Sequence, residues 1–204
     1  MGTTLLAMRY KDGVYVASDS QTSSGSYISN RAADKISPIS DNIICLRAGS
    51  SADTQNIVDL VKNIILKEKI EREDQIEVRV VAQLLRNVCY MKKSTSNCGF
   101  ICAGWDIFHG GQIYAIVQGG TLINIPFVST GSGSIFLSSF CEANFKDNMN
   151  EKEIETLIIK AISFAIQKDA NSSGFIRICK ITEKGFFKRS VLPLKSPKYY
   201  CYLQ

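Results

Sequence analysis

Histidine is nearly missing from this chain, which has a single copy, His109, in 204 residues. Serine and cysteine hydrolases commonly use a histidine to deprotonate the nucleophile, so only one base of that kind is available. Long apolar runs are missing as well, and no stretch approaches the roughly 18–20 apolar residues that a membrane-spanning helix needs. These absences leave one candidate for a histidine base and argue against a membrane-spanning helix.

Targeting signals and blocks of like charge are also missing. The start of the chain has neither an apolar signal segment nor the serine or threonine that myristoylation needs at position 6, where Leu6 stands. The net charge of +5 comes from lysines and arginines scattered among acids, without a basic stripe. We therefore expect a soluble intracellular protein that binds neither membranes nor nucleic acid.

Cysteine is plentiful but is not arranged for metal binding. The seven cysteines include no C-x-x-C pair, and most stand in apolar contexts; they are Cys45, Cys89, Cys98, Cys102, Cys141, Cys179 and Cys201. Such residues are typical of small buried hydrophobic side chains in a reducing compartment. A zinc site needs clustered ligands, which this spacing does not offer, so we expect no metal.

Apolar patterning predicts strands and helices in a definite order. The 45% hydrophobic and 21% charged content indicates one globular domain with a substantial core. Strands are predicted at 5–10, 14–18, 42–48, 99–105, 112–117, 121–128, 175–182 and 186–192. Helices are predicted around 57–65, 81–88, 134–146 and 154–165, with a loop at 23–26 and a connector at 67–75. In the third helix, Ile135, Phe136, Phe140 and Ala143 are predicted to share one face.

This order predicts the architecture. Helices that come in pairs, rather than singly between strands, argue against a doubly wound parallel sheet. Two antiparallel sheets packed together, each covered by a pair of helices, would bury every amphipathic face. The sequence therefore predicts an α+β fold, specifically a four-layer αββα sandwich.

The first residues offer a base that is not histidine. Removal of Met1-Gly2 would give Thr3 both a hydroxyl nucleophile and a free α-amino group. An α-amine with a pKa of roughly 7.7–8 can act as a base near neutral pH. Thr3-Thr4 before an apolar run is also typical of an ordinary edge strand, because β-branched residues favour strands. The threonine pair alone therefore does not decide the function.

Seven motifs along the chain carry a family resemblance. They are Thr3-Thr4, Ala17-Ser18-Asp19-Ser20, Asn30-Arg31-Ala32-Ala33-Asp34-Lys35, Arg47-Ala48-Gly49-Ser50, Ala103-Gly104-Trp105-Asp106, Gly131-Ser132-Gly133-Ser134 and Lys168-Asp169-Ala170-Asn171-Ser172-Ser173-Gly174. Together, in this order, they resemble a catalytic β subunit of the eukaryotic 20S proteasome over the whole chain. The resemblance is best to the caspase-like subunit, through Gly25-Ser26-Tyr27-Ile28, Asn30-Arg31 and Arg47. It implies the fold of the N-terminal-nucleophile hydrolases.

The resemblance also implies a set of catalytic residues, namely Thr3, Asp19, Lys35, Gly49, Ser132, Asp169 and Ser172. Thr3 would be the nucleophile, with its own amine as general base. Lys35 would lie near the Thr3 hydroxyl and ease its deprotonation, with Asp19 holding Lys35 in place. An Asp–Lys pair by itself is more often a structural ion pair.

The remaining members of this set would serve the oxyanion and the amine. Gly49 would offer its backbone N–H to the oxyanion. Ser132, Asp169 and Ser172 would orient the amine of Thr3. Ser173 is the alternative to Ser172, because the family usually has Asp-Gly-Ser-Ser-Gly where this chain has one more residue.

The position of Arg47 in the sequence by itself makes this residue a candidate for determining substrate specificity. It stands two residues before Gly49 on a predicted strand, so both should face the same side. A cation beside the oxyanion donor would favour an acidic side chain before the scissile bond; the alternative is an arginine paired with a nearby acid. Thr22, Ser51 and Thr54 are predicted to line the same pocket.

The resemblance implies a threonine endopeptidase subunit of the proteasome core particle that cleaves unfolded polypeptides after acidic residues. Its partners would be other α and β subunits in a stacked-ring barrel, located in the cytoplasm and nucleus, and no cofactor is implied. Met1-Gly2 is expected to be a short leader that is removed on maturation. Residues 3–204 are expected to form one domain with an extended tail, whose apolar residues 199–203 would be covered by a neighbour.

Three other functions remain open. The chain could be a non-catalytic structural subunit of the same ring, a relative of the bacterial threonine protease that works with an unfolding ATPase, or a free-standing amidohydrolase. Structural subunits usually lose the threonine, the lysine or leader cleavage. The presence of Thr3, Asp19 and Lys35 together therefore favours the enzyme.

Overall fold

The computed structural model describes residues 2–24, 27–72, 75–94 and 97–194. Its strands are β1 Leu5–Tyr10, β2 Gly13–Ser18, β3 Thr22–Ser24, β4 Tyr27–Asn30, β5 Ile36–Ser40, β6 Ile43–Gly49, β7 Cys98–Asp106, β8 Gly110–Val117, β9 Thr121–Asn124, β10 Phe127–Thr130, β11 Ile176–Thr182 and β12 Gly185–Val191. Its helices are α1 Ser51–Arg72, α2 Val78–Met91, α3 Ser134–Asn144 and α4 Glu151–Lys168.

Two antiparallel sheets of five strands form the centre of the fold. One has the order β10-β1-β2-β11-β12 and the other the order β5-β6-β7-β8-β9, while β3 and β4 form a separate hairpin. Helices α1 and α2 pack on the second sheet, and α3 and α4 pack on the first. A third apolar cluster lies between the two sheets. The predicted four-layer αββα sandwich is therefore confirmed.

Strand β1 shows why the inner strands read as unbroken apolar runs. Leu5 and Ala7 face the cluster between the sheets, whereas Leu6 and Met8 face the layer under α3 and α4. Because both faces are buried, the polar alternation of a half-exposed strand does not occur.

The register of the first sheet positions the segment before β1. Leu5 pairs with Ser18 at the end of β2 and with Thr130 at the end of β10. The residues that precede Leu5 are therefore flanked by those that follow Ser18 and Thr130. In the facing sheet, Arg47 N donates to Lys35 O at 3.0 Å, which places the start of β5 beside the end of β6.

The predicted single strand at 121–128 is wrong. The structure has β9 at the edge of one sheet and β10 at the edge of the other, so the chain crosses between the sheets after Asn124. Pro126 lies in this crossing, and a proline cannot donate a hydrogen bond to a sheet ladder. Its carbonyl instead accepts from Arg9 N at 2.8 Å.

Two other strand regions differ from the prediction. The loop predicted at 23–26 is wrong for Ser23 and Ser24, which belong to β3 and pair with β4; residues 25–26 lie outside the described residues. Strand β5 was not predicted. It contains Pro38 and a register shift before Ser40, so its buried residues do not alternate regularly.

Two helices differ from the prediction, one in its length and the other in the face that it buries. The prediction of a connector at 67–75 is wrong for residues up to Arg72, because α1 continues to that residue. The last turns of α1 are polar and mostly exposed. In α3, the buried residues are Leu137 and Cys141, while Ile135 is 79% exposed, so the predicted apolar face was wrong. The predicted extended tail falls outside the described residues from position 195 onward.

Candidate active site

Thr3 and Thr4 precede β1, and their hydroxyls have different partners. The Thr3 hydroxyl donates to the carbonyl oxygen of Gly2 at 2.6 Å, and Lys35 Nζ donates to the same oxygen at 3.2 Å. The Thr4 hydroxyl instead lies 2.7 Å from Ser172 Oγ. Consecutive residues of an extended chain point to opposite sides, so only Thr3 presents its hydroxyl on the side of the lysine.

Lys35 is held by a buried ion pair. Its Nζ lies 2.7 Å from Asp19 Oδ1, and side-chain exposure is 8% for Lys35 and 0% for Asp19. Asp19 also accepts hydrogen bonds from the backbone of Thr4 at 2.8 Å and of Gln21 at 3.0 Å. Both oxygens of Asp19 are therefore occupied by N–H donors, which fixes the carboxylate against β1 and the ammonium against the Gly2–Thr3 peptide.

Burial and pairing act in opposite directions on the protonation of this ion pair. Burial raises the pKa of Asp19 and lowers the pKa of Lys35, while the attraction between the two groups opposes both shifts. Since every described contact of the Asp19 oxygens is an N–H donor, the arrangement favours the ionised carboxylate. The pair therefore places a positive charge on Lys35 next to the Gly2–Thr3 peptide.

A chain of hydrogen bonds supports the nitrogen of Thr3. Thr3 N donates to Ser132 Oγ at 3.1 Å, and Ser132 Oγ donates to Asp169 Oδ2 at 2.7 Å. Ser172 Oγ donates to the same Asp169 oxygen at 2.7 Å. Burial raises the pKa of Asp169, but the hydrogen bonds from Ser132, Ser172 and Asn171 outweigh it and hold this pKa below its usual value.

The structure distinguishes the two serines that follow Asp169. Ser172 is buried and connects Asp169 to the hydroxyl of Thr4, so its link to the nitrogen of Thr3 passes through Asp169 and Ser132. Ser173 instead donates to Gln21 Oε1. The geometry therefore supports Ser172 as the member of this hydrogen-bonded chain.

Gly49 and Gly131 line one cavity, and Gly131 also packs on Thr3. Gly49 has φ +112°, and a Cβ there would lie 2.1 Å from the carbonyl oxygen of Asn97. Gly131 has φ +95°, and a Cβ there would lie 2.1 Å from the carbonyl oxygen of Thr3. Both backbones need the left-handed region and leave no room for a side chain. A cavity of about 300 Å³ lies between these glycines and is lined mainly by residues of β7, β8 and β10.

Gly2 is also packed too tightly for a side chain. A Cβ on Gly2 would lie 1.9 Å from the carbonyl oxygen of Asn171 and 2.2 Å from its Cβ. The peptide that carries the Thr3 nitrogen is therefore pressed against the loop that follows Asp169.

Arg47 is anchored beside Lys35 without an acidic partner among the described residues. Its Nη2 donates to the carbonyl oxygen of Asp34 at 2.7 Å, and its Nη1 donates to Gln55 Oε1 at 3.5 Å. Its buried Nε has no partner in the same part of the chain. The carboxylate of Asp34 pairs with Lys188 instead. The positive charge of Arg47 is thus held in place and left uncompensated by the described acids.

The other three residues predicted to line the pocket differ in their burial. Thr22 is half-buried in β3, and Ser51 is exposed as the first residue of α1. Thr54 is buried, and its hydroxyl donates back to the carbonyls of Ser50 at 2.8 Å and Ser51 at 3.1 Å. The Thr54 hydroxyl is therefore not free to donate to another group.

A family model described as "Proteasome subunit" matches residues 1–181. The chain belongs to the proteasome subunit family. It is 41% identical over 189 residues to the "Probable proteasome subunit beta type-1" of Schizosaccharomyces pombe, which covers 93% of this chain and 84% of that relative. It is also 41% identical over 185 residues to the "Proteasome subunit beta type-6" of Arabidopsis thaliana, covering 91% and 79%.

A third relative is the "Proteasome subunit beta type-1" of Saccharomyces cerevisiae, 37% identical over 185 residues, covering 91% of this chain and 86% of the relative. The chain is therefore a proteasome subunit of the β type. Membership of this family implies assembly with other proteasome subunits.

The single histidine of this proteasome subunit stands apart from the contacts of Thr3. His109 lies in the turn between β7 and β8, where its Nδ1 is 3.6 Å from Asp106 Oδ1 and its side chain is 59% exposed. Among the described residues, no helix is long and apolar enough to cross a bilayer, and no three metal-binding side chains form a cluster suited to an ion.

Three residues of the site were not identified from the sequence. Thr4 links the hydrogen-bonded chain to β1, Gln55 contacts Arg47, and Gly131 packs on Thr3. Gly131 stands in the Gly-Ser-Gly-Ser motif, so its position was flagged without a role. Gln55 carries no sequence signal, because its contact depends on where α1 begins relative to β6.

Proposed function

We propose that this β-type proteasome subunit is catalytic, as a threonine endopeptidase that cleaves unfolded polypeptides after acidic residues. The observation that supports it best is the convergence of the Thr3 hydroxyl and the Lys35 ammonium on one carbonyl, that of Gly2. A nucleophile and a cation next to the same carbonyl oxygen are the groups that acyl transfer requires.

Thr3 serves as the nucleophile once its nitrogen is a free amine. In this chain that nitrogen belongs to the Gly2–Thr3 peptide bond, and an amide nitrogen cannot accept a proton near neutral pH. Cleavage of that bond leaves an α-amine with a pKa of roughly 7.7–8, which takes the proton of the Thr3 hydroxyl. Ser132, oriented by Asp169, holds this amine in place.

Lys35 assists through its charge. Its buried ammonium stabilises the alkoxide character that develops on Thr3 Oγ1 as the proton leaves. Asp19 keeps Lys35 at that position through the 2.7 Å ion pair. The α-ammonium of Thr3, which holds the proton taken from the hydroxyl, returns it to the leaving amine, so no histidine is needed.

Gly49 supplies the oxyanion donor. It ends β6 and lines the same cavity as Gly131, which packs on Thr3. A substrate carbonyl attacked by Thr3 develops negative charge, which the Gly49 N–H stabilises; one such donor typically contributes about 3–4 kcal/mol to the transition state.

Arg47 gives the preference for acidic residues. It stands on β6 two residues before Gly49 and is not neutralised by a described acid. An aspartate or glutamate before the scissile bond pairs with this guanidinium. Thr22, Ser51 and Thr54 complete the walls of that pocket.

The same groups remove the leader. Thr3 Oγ1 attacks the carbonyl carbon of Gly2 while Lys35 polarises the carbonyl oxygen, which accepts hydrogen bonds from both residues. The C–N bond of the Gly2–Thr3 peptide breaks and the hydroxyl proton passes to the nitrogen, which frees the α-amine and leaves an ester between Gly2 and Thr3 Oγ1. Water then hydrolyses this ester, which releases the leader as a carboxylic acid and restores the Thr3 hydroxyl. Residues 3–204 then constitute the mature domain, which works in the cytoplasm and nucleus within a stacked-ring barrel of α and β subunits.

Replacing Thr3 tests this function. Thr3→Ala removes the hydroxyl but keeps the backbone, so particles that contain only this variant should assemble and lose hydrolysis of peptides ending in glutamate or aspartate. Thr121→Ala, at an exposed position of β9, is the matched control and should retain full activity. Peptidase assays on purified particles measure both. Full activity in the Thr3→Ala particle would refute the proposal and favour a non-catalytic structural subunit.

A further inference from the structure

Two cysteines meet next to the candidate active site without a role in the proposed reaction. Cys89 lies near the end of α2, and Cys98 is the first residue of β7. Their Sγ atoms are 4.0 Å apart, and both residues are buried, with 2% and 3% exposure. A disulfide needs a separation of about 2.05 Å, so the sulfurs must approach by roughly 2 Å to bond.

Cys98 borders a cavity although only 3% of the residue is exposed. It lines the cavity of about 300 Å³ that also borders Gly49 and Gly131. Two other cysteines, Cys45 and Cys102, stand opposite each other on β6 and β7, but neither lines this cavity. Among the described thiols of this sheet, Cys98 is therefore the one that borders the cavity.

The surroundings of the pair assign different roles to the two thiols. Burial raises the pKa of both, to about 12 for Cys89. The hydrogen bond between the sulfurs lowers the pKa of Cys98 and raises that of Cys89. Lys92 also lowers the pKa of Cys98, and Asp53 raises it. Cys98 is thus the more easily ionised thiol, and ionised thiols are the ones that react with peroxide.

We propose that Cys89 and Cys98 are an oxidation site, joined by an intrachain disulfide when a small peroxide enters the cavity. The Cys98 thiol loses its proton, the thiolate attacks one peroxide oxygen and the O–O bond breaks. The departing hydroxide takes up that proton, so a sulfenic acid and water result. The Cys89 sulfur then attacks the sulfenic sulfur and displaces hydroxide, which takes the Cys89 proton to form a second water. Two thiols are oxidised by two electrons, and one peroxide is reduced to two waters.

This bond acts on Gly49 through the backbone. Cys98 pairs with Gly49 in the ladder between β7 and β6, and the carbonyl of Asn97 accepts from Ser50 N at 3.2 Å. That carbonyl also fills the space where a side chain of Gly49 would be. Drawing Cys98 toward α2 moves Asn97 and reorients the Gly49 peptide. Oxidation therefore lowers the peptidase activity reversibly, a consequence that rests on the proposed function, whereas the bond itself does not.

The first test measures the bond. Assembled particles that contain this chain are treated with hydrogen peroxide, and the chain is analysed by intact mass and by peptide mapping without reduction. The expected result is the loss of two hydrogen atoms and a crosslinked peptide that contains Cys89 and Cys98. Cys89→Ala should prevent the crosslink, while Cys141→Ala, a buried cysteine of α3, should permit it. Oxidation of Cys98 without a crosslink, or a crosslink elsewhere, overturns the proposal.

The second test measures hydrolysis of acidic peptides by the same samples. Oxidised particles should be about tenfold or more slower, since misplacing one oxyanion donor has effects of this size or larger. Dithiothreitol should restore the rate, and the Cys89→Ala particle should resist the loss. If the crosslink forms and the rate is unchanged, the coupling to Gly49 is refuted. If untreated particles lack this activity, the proposed function fails, and the mass measurement still decides the oxidation site.

Discussion

At the scale of single residues, the site depends on which of two adjacent hydroxyls meets the lysine. Thr3 shares the Gly2 carbonyl with Lys35, while the Thr4 hydroxyl contacts Ser172 and the Thr4 backbone N–H donates to Asp19. The two threonines therefore have separate tasks, one placing a hydroxyl next to the Gly2 carbonyl and the other anchoring the chain to its supports.

Lys35 is expected to be needed both for hydrolysis and for leader removal. Lys35→Ala deletes the cation next to the Gly2 carbonyl and leaves Asp19 buried without its partner, so activity should fall at least about 100-fold. Intact mass of the chain from particles should show the leader still attached. Lys69→Ala removes an exposed ion pair with Asp41 and is the control. A fully processed, active Lys35→Ala particle would contradict the mechanism.

Arg47 is expected to set the preference for acidic residues. Arg47→Met keeps much of the side-chain volume but removes the charge, and a close charge pair in a partly desolvated pocket contributes about 1–3 kcal/mol. Turnover of peptides ending in glutamate should drop roughly 10- to 100-fold, with apolar peptides relatively favoured. Arg86→Met, an exposed position on α2, is the control for the loss of an arginine. An unchanged preference would place the specificity pocket elsewhere.

At the scale of elements, the strands and helices with clear patterns were predictable, and those whose form depends on neighbours were not. Strands β1, β2 and β6 and helix α4 follow the predicted patterns, because burial alone dictates them. Pro126 signals the break between β9 and β10 locally, but the sheet edge that each strand joins is not encoded in the local sequence.

The predicted buried face of α3 was wrong for a related reason. Apolar residues occur on both the exposed and the buried face of α3. Ile135 is 79% exposed, whereas Leu137 and Cys141 are buried. In a subunit that assembles with others, apolar residues occur on outer faces as well as inner ones, so periodicity cannot assign the buried face. The catalytic set could be proposed only by resemblance, since Lys35, Ser132 and Asp169 come from loops between elements.

The turn after β10 is expected to control the position of Thr3. In Gly131→Ala, the new Cβ would collide with the Thr3 carbonyl at 2.1 Å, in a backbone with φ +95°. Gly119→Ala has a similar φ of +89° but no atom within 4 Å, so it imposes comparable backbone strain without the collision. Peptidase activity should fall strongly in the first variant and little in the second. Equal activity in both would show that Thr3 tolerates displacement.

At the scale of the whole molecule, the site lies where two sheets, two helical layers and the N-terminal segment meet. Its supports come from β1, β2, β5, β6, the turn after β10 and the end of α4. Such a site forms only when the complete sandwich has assembled, so its electrostatics contribute to the stability of the fold.

Asp169 should make this stability depend on pH. Because its folded pKa is below the usual value, its contribution is present above the unfolded pKa of about 3.9 and is lost as pH falls through the folded pKa. The difference in Tm between particles with the natural chain and with Asp169→Asn should therefore be largest near neutral pH and shrink below about pH 4. Ser172→Ala, which deletes one donor to Asp169, should weaken this dependence. A difference in Tm that is constant with pH would contradict the assignment.

The packing at Gly2 constrains evolution as well as chemistry. The carbonyl of Asn171 fills the space that a side chain at position 2 would need. If the chain shifted by one residue so that Thr4 took the place of Thr3, the Thr3 side chain would have to enter that space. Only Thr3 can therefore become the new N-terminus. On the proposed maturation, Gly2 is absent from the finished enzyme. Natural selection would therefore preserve a residue that the working protein discards, and a mutation at that codon would be harmful although the mature sequence is unchanged.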